Sequence, residues 1–247
     1  MPFKNSLMHS KQTIEQELSN CCSLKECLSS ELDSYCLTDT NAVETRRIRF
    51  TRLVGILQNM NAGKSGGGLS GAQATESIWK EMLKDINCGQ EKFDLEPQEG
   101  DADFSYLGKS FSLKTIGFRN KSADLALAWS KNKPGAKQRV FESAMVILSF
   151  RPSGPNSRTP FWKTAKQGIY IIPLSTLRSV VSKFAENNKT NTLIKAKYVV
   201  ELMQIAKDAN LFLPLELSPS RWEGCELSFW KAGDACLVIK NKKADQK

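Results

Sequence analysis

A mixed α/β (α+β) fold with one central sheet is the class this sequence predicts, and three observations carry it. Apolar residues recur at spacings of three and four through the N-terminal region, the signature of amphipathic helix. Further on, Ala144–Arg151 and Gly168–Pro173 are apolar runs of strand length, as expected for strands buried on both faces. Helical and strand signals then alternate along a chain without internal repeats, which favours helices packed on a single sheet. With 247 residues, 40% of them hydrophobic, the chain can fill one full core.

Residues 1–60 read as a helical N-terminal region. Ile14, Glu17 and Leu18, then Leu24, Leu28 and Leu32, set its spacing. A second helix carries Phe50, Leu53, Val54, Ile56 and Leu57, with Arg46, Arg47, Arg49 and Arg52 on or before it. Residues 61–247 form the remaining core as one compact unit. Its first segment, 61–71, is a glycine-rich loop. The Gly-Lys-Ser there is not a phosphate loop, because Gln58 stands where the pattern requires glycine and more glycines follow where a helix should begin. Ala72–Ile86 is a helix with Ile78, Met82, Leu83 and Ile86 as its buried stripe and Glu76 close to that stripe. A loop over 88–101 follows. Ala102–Leu107 and Phe111–Ile116 are strands flanking a turn at Gly108, Lys109 and Ser110. Ser122 is placed to cap a helix over Ala123–Asn132. After the buried strands come a helix over Ser175–Phe184 capped by Ser175, an amphipathic helix over 192–209, and two or three strands within 211–240 with a turn near Ala232-Gly233-Asp234.

Charge and composition narrow the chemistry. A net charge of +9 spread along the chain suggests a polyanionic partner, of which nucleic acid is the commonest. No apolar run reaches the ~18 residues of a membrane span, and no export signal is visible at the N-terminus, so no membrane partner and a cytoplasmic location are expected. The seven cysteines include no CxxC pair and are read as reduced and mostly buried. Only one histidine occurs, His9. Histidine nucleases, Ser-His-Asp hydrolases and Cys-His enzymes all need an imidazole on a rigid scaffold, so any catalysis here must run on carboxylates, lysine and a metal ion.

One segment offers that combination. With the turn centred between Leu107 and Gly108, Asp103 falls opposite Ser112, and Lys114 shares the face of Ser112. Asp101 joins them if the strand extends backward. A carboxylate on such a face holds Mg²⁺ at a scissile phosphate, and a neighbouring ammonium orients water and offsets charge in the transition state.

This segment resembles the PD-(D/E)xK nuclease signature: an acid on one strand, a turn, then acid-x-Lys on the next. Ser112-Leu113-Lys114-Thr115 is similar to the SLKT variant found in several type II restriction endonucleases. The resemblance covers the hairpin and the helix before it. It implies a restriction-endonuclease-like central mixed sheet flanked by helices, Mg²⁺ as cofactor, Asp103 as the metal-binding acid and Lys114 as the catalytic lysine. Ala102 replaces a frequent proline. Ser112 replaces the second acid, and a hydroxyl is a poor Mg²⁺ ligand beside a carboxylate. Some members with serine there supply an acid from elsewhere, and many present a glutamate from the preceding helix. Glu76 is accordingly the expected second metal ligand, with Glu142 next.

Arg119, Asn120 and Lys121 ahead of a helix start suit a phosphate contact. Gln138, Arg139, Arg151, Asn156, Arg158, Lys163, Lys166 and Gln167 fall in loops or at strand ends, where contacts to phosphate or base edges are made. The expected activity is that of a type II restriction endonuclease, cutting double-stranded DNA as a homodimer beside a cognate DNA methyltransferase. A same-fold nuclease of repair or phage defence is one alternative. The other is a basic nucleic-acid-binding protein without catalysis, in which Asp103 and Lys114 form a structural pair.

Overall fold

The computed structural model describes residues 3–34, 76, 79–80, 83–84, 91–96, 102–116, 125–128, 141–149, 160–187, 193–214, 225–229 and 237–241. Helix α1 spans Phe3–Ser34. Strands β1 (Phe93–Asp94), β2 (Phe104–Tyr106), β3 (Lys109–Ile116), β4 (Leu125–Ala128) and β5 (Ala144–Ser149) follow, then the short helix α2 (Pro160–Thr164) and strand β6 (Gly168–Ile172). Helix α3 (Leu174–Asn187), strand β7 (Leu193–Ile194), helix α4 (Ala196–Asp208) and strands β8 (Phe212–Pro214), β9 (Cys225–Phe229) and β10 (Leu237–Asn241) complete the order. Glu76, Trp79, Lys80, Leu83 and Lys84 are helical, as their spacing predicts.

The fold is α/β, organised by a six-stranded mixed sheet in the order β1-β2-β3-β5-β6-β8. β3 and β5 run parallel, while the remaining neighbours are antiparallel. Every described residue of β6, and all of β5 after Ala144, is buried. That accounts for the unbroken apolar runs at these strands, since a strand covered on both faces has no solvent side to mark with polar residues. Phe111 and Leu113 share one face with Val146, Leu148, Ile169 and Ile171, while Ser112 and Lys114 share the other with Met145, Ile147 and Tyr170. Trp79 packs against Phe104 with ring centroids 6.2 Å apart, and Phe104 stacks on Phe111 at 5.6 Å, so the helix before the hairpin rests on the first of these faces.

The hairpin turn is tighter than its glycine alone suggests. Leu107 and Gly108 both have positive φ, 47° and 72°, which a two-residue type I′ connection requires. Across β6 and β8, Gly168 meets Pro214. A Cβ on Gly168 would lie 2.4 Å from the Leu213 carbonyl oxygen and 2.5 Å from the Phe212 ring, so only glycine lets these strands approach so closely.

Several elements differ from the sequence reading. Leu125–Ala128 is a strand rather than part of a helix, because it pairs with Leu193–Ile194 and cross-strand hydrogen bonding overrides the helix preference of Leu and Ala. β1 interrupts the loop expected over 88–101, held by Phe93 opposite Tyr106. The buried stripe of α1 begins at Cys21 and continues through Leu24 and Leu28, leaving Ile14 and Leu18 exposed. α3 starts at Leu174, so Ser175 lies inside its first turn, and the Ser175 N–H donates to Glu17 Oε2 of α1 at 3.1 Å. The three C-terminal strands match expectation, with β9 and β10 pairing antiparallel, and the turn expected near Ala232-Gly233-Asp234 lies outside the described residues. The second N-terminal helix and the glycine loop over 61–71 lie outside the described residues. No helix among the described residues is long and apolar enough to cross a membrane.

Candidate active site

The site forms where β2 ends and β3 continues. Regular pairing stops at Phe104 opposite Phe111, three residues before Lys114. Asp103 therefore does not pair with Ser112. Its N–H donates to the Phe111 carbonyl at 2.8 Å, and the residue bends away from the ladder. Beyond that point, the Leu113 backbone faces the side that β2 has vacated. Backbone groups in partly buried surroundings must find partners. Leu113 N–H donates to Asp103 Oδ2 at 2.5 Å, and the Leu113 carbonyl accepts from Lys114 Nζ at 2.9 Å. Two side chains thus replace the missing strand, and that task brings them together: Lys114 Nζ lies 3.5 Å from Asp103 Oδ2.

Both groups remain reachable from water, with side chains 23% exposed for Asp103 and 24% for Lys114. Asp103 Oδ1 takes no hydrogen bond among the described residues. The carboxylate thus has one oxygen committed to the backbone and the ammonium, and one oxygen available. Mg²⁺ commonly binds through one or two carboxylates, with waters and substrate phosphates filling the rest of its shell. The available oxygen of Asp103 fits such a site.

The other expected site residues are disposed differently. Ser112 is buried, and its hydroxyl has no hydrogen-bond partner among the described residues, so it bonds neither Asp103 nor Lys114. Glu76 pairs with Lys80 one helical turn away, Oε1 to Nζ at 3.1 Å. No group of three His, Cys, Asp or Glu side chains suited to a metal ion occurs among the described residues. Glu142 sits exposed just ahead of β5. Cys21, Cys22 and Cys27 on α1 form no disulfide among the described residues, and burial pushes the Cys21 thiol up to about 12.

Lys163 and Lys166 are exposed and precede β6 at its Gly168 end. Gly168 pairs with Ser149, and Ser149 pairs with Ile116, so these lysines lie at the sheet end toward which β3 carries Lys114. The peptide around Lys166 is pinned from below. Its carbonyl accepts from the Tyr170 hydroxyl at 2.8 Å, and its N–H donates to the same oxygen at 3.1 Å. Burial pushes this phenol up to about 12, so it stays protonated. Asp101, Arg119, Asn120, Lys121, Gln138, Arg139, Arg151, Asn156 and Arg158 lie outside the described residues.

Sequence reasoning missed the Leu113 backbone, the hub of this arrangement. The sequence carries no signal for it: only in the structure is β2 three residues against eight in β3, which among the described residues leaves part of β3 without a strand on that side.

No protein-family model and no curated protein matches the chain. Among solved structures it is similar to one described as a restriction endonuclease in complex with substrate DNA, at 18% identity and a TM-score of 0.43, covering 64% of this chain and 76% of that one. At that score the likeness is too distant to transfer chemistry from one protein to the other.

Proposed function

We propose that this protein is a Mg²⁺-dependent endonuclease acting on double-stranded DNA. The observation that carries the reading is the meeting of Asp103 and Lys114 at the open edge of β3, with one carboxylate oxygen available. Mg²⁺, when bound, supplies Lewis-acid polarisation of the scissile phosphate and neutralises its charge. Asp103 holds the ion through the available oxygen. Lys114 brings a fixed positive charge to the phosphate and a donor to orient the attacking water. The Asp103 anchor on Leu113 N–H keeps the carboxylate in place before the ion arrives, so the ion's ligand needs little reorganisation.

Substrate binding draws on the basic character of the whole chain, +9 at neutral pH. Lys163 and Lys166 contribute at the sheet end beside the site, and Arg119, Asn120, Lys121, Arg139 and Arg158 are the further candidates for phosphate contact. Glu76 is the proposed second ion ligand, reached by exchange of its pair with Lys80, and Ser112 supports the strand from within. In its finer form the proposal is a type II restriction enzyme, a homodimer cutting a short palindromic site, encoded beside a methyltransferase that protects the same site.

The test is digestion of a plasmid with Mg²⁺, with and without EDTA. Discrete fragments with uniform ends establish site-specific cleavage, and a smear establishes a nuclease without sequence choice. Activity that persists in EDTA removes the metal from the reading. DNA binding without cleavage under any divalent ion replaces the enzyme with a binding protein.

A further inference from the structure

The position of the Lys114 ammonium has a consequence for ion binding. A lysine partway along a strand ordinarily runs out across the sheet face toward water. Here Nζ returns to its own strand edge, donates to the Leu113 carbonyl at 2.9 Å and lies 3.5 Å from Asp103 Oδ2. A carboxylate and a carbonyl oxygen thus converge on one cation. Both are hard oxygen donors of the kind Mg²⁺ and Mn²⁺ also take. A divalent ion on the Asp103 carboxylate would stand within a few ångströms of the ammonium, where like charges in a partly buried setting repel strongly.

We infer that Lys114 is a built-in competitor of the divalent ion: its ammonium holds the cation position beside Asp103, and an arriving ion displaces it. The inference rests on the nuclease reading only in taking Asp103 as an ion ligand. Competition of this kind is reciprocal. An ion that drives the ammonium off Asp103 is bound more weakly than it would be without the lysine. Displacement also breaks the contacts that hold Nζ on its own strand, which frees the ammonium for an incoming phosphate. Ion binding thereby releases the group that meets substrate.

The test is ion affinity without DNA. Mn²⁺ alone is titrated into wild type, K114M, K114Q and D103N, and free ion is counted by paramagnetic resonance. Both neutral variants are expected to bind Mn²⁺ about tenfold tighter than wild type, the size of effect a single nearby charge produces. D103N is expected to lose the site. If K114M and K114Q bind no tighter than wild type while D103N loses the ion, the competition is wrong and the ion site stands. If D103N binds like wild type, or no form binds at millimolar ion, the ion site is wrong and the competition falls with it. A second measurement needs no variant. In wild type carrying isotope-labelled lysine, the Lys114 Cε resonance should shift as Mg²⁺ saturates, and a resonance that stays in place at saturation overturns the inference even if the neutral variants do not fold.

Discussion

Replacing Asp103 by asparagine separates the two tasks of this carboxylate. As a structural group, Asp103 accepts the Leu113 N–H through Oδ2 at 2.5 Å. The asparagine carbonyl can take the same bond, so what is lost is its charge assistance, about 1 kcal/mol. The contact with Lys114 is long, 3.5 Å, and both side chains are about a quarter exposed. Solvent screening limits that pair to about 0–1 kcal/mol. Together these give about 1–2 kcal/mol, and on a chain of this size the melting temperature falls about 2–8 °C. As an ion ligand, Asp103 has no such substitute, because a neutral amide holds Mg²⁺ poorly. Losing the ion removes several kcal/mol of transition-state stabilisation, and about 4 kcal/mol corresponds to roughly a thousandfold in rate. The assay is a plasmid-cleavage time course beside a thermal melt. Cleavage within tenfold of wild type would refute the ligand role, and a melting temperature lowered by far more than the range above would refute the view that asparagine preserves the strand edge.

Leu107 holds φ at 47° with its side chain 60% exposed, so Leu107→Asn relieves left-handed strain without uncovering the core. A gain of about 1 kcal/mol in chemical denaturation is expected, and a loss would mean that the leucine packs on something. Gly168→Ala places a methyl group 2.4 Å from the Leu213 carbonyl oxygen, and overpacking of this kind costs about 1–3 kcal/mol; an unchanged melting temperature would show that β8 can yield. The Cys21 thiol, raised by burial from 9.0 to about 12, and the Tyr170 phenol, raised from 10.0 to about 12, are both neutral in the fold. Each contributes stability that is complete below its unfolded value and is lost as pH rises through its folded value, so stability measured by denaturant titration should decline from about pH 9 toward pH 12. A flat profile over that window would place both groups in water.

The parts of the fold legible in the sequence are those whose environment is recorded in side chains. β5 and β6 read correctly because burial on both faces demands continuous apolar runs. The hairpin is legible because strand alternation flanks a glycine, and its centre falls at Leu107-Gly108 as expected; Lys109 and Ser110, expected in the turn, instead pair with Tyr106 and Ser105. β1 was not legible, since two residues carry no period of their own and Phe93–Asp94 is extended only because Tyr106 and Ser105 lie opposite. Over Leu125–Ala128 the cap at Ser122 predicts helix, yet the alternation there also has the period of a strand, and the partner at Leu193–Ile194 decides between the two. At the site, the sequence supplied Asp103 and Lys114 as a pair. It did not supply the Leu113 backbone, because amide and carbonyl groups are common to every residue and only the early end of β2 leaves these without partners. Glu76 lies on the helix where it was expected, but the Lys80 at its i+4 position engages it, a pairing the sequence already contained.

The tie between Glu17 and Ser175 spans 158 positions, and the contact between Lys25 and Asn210 spans 185. α1 is therefore made well before the elements that complete its packing. Ribosomes extend a chain at about 5–20 residues per second, so roughly ten to forty seconds separate Lys25 from its partner. β2 is made early enough to meet Ser23 through Tyr106, but β6 and β8, which also pack on α1, come only near the end of that interval. Contacts this remote in sequence also slow spontaneous folding, because the loop must close before it is rewarded. The emerging helix is thus the segment on which a chaperone would act, and slower synthesis would lengthen its exposure in proportion.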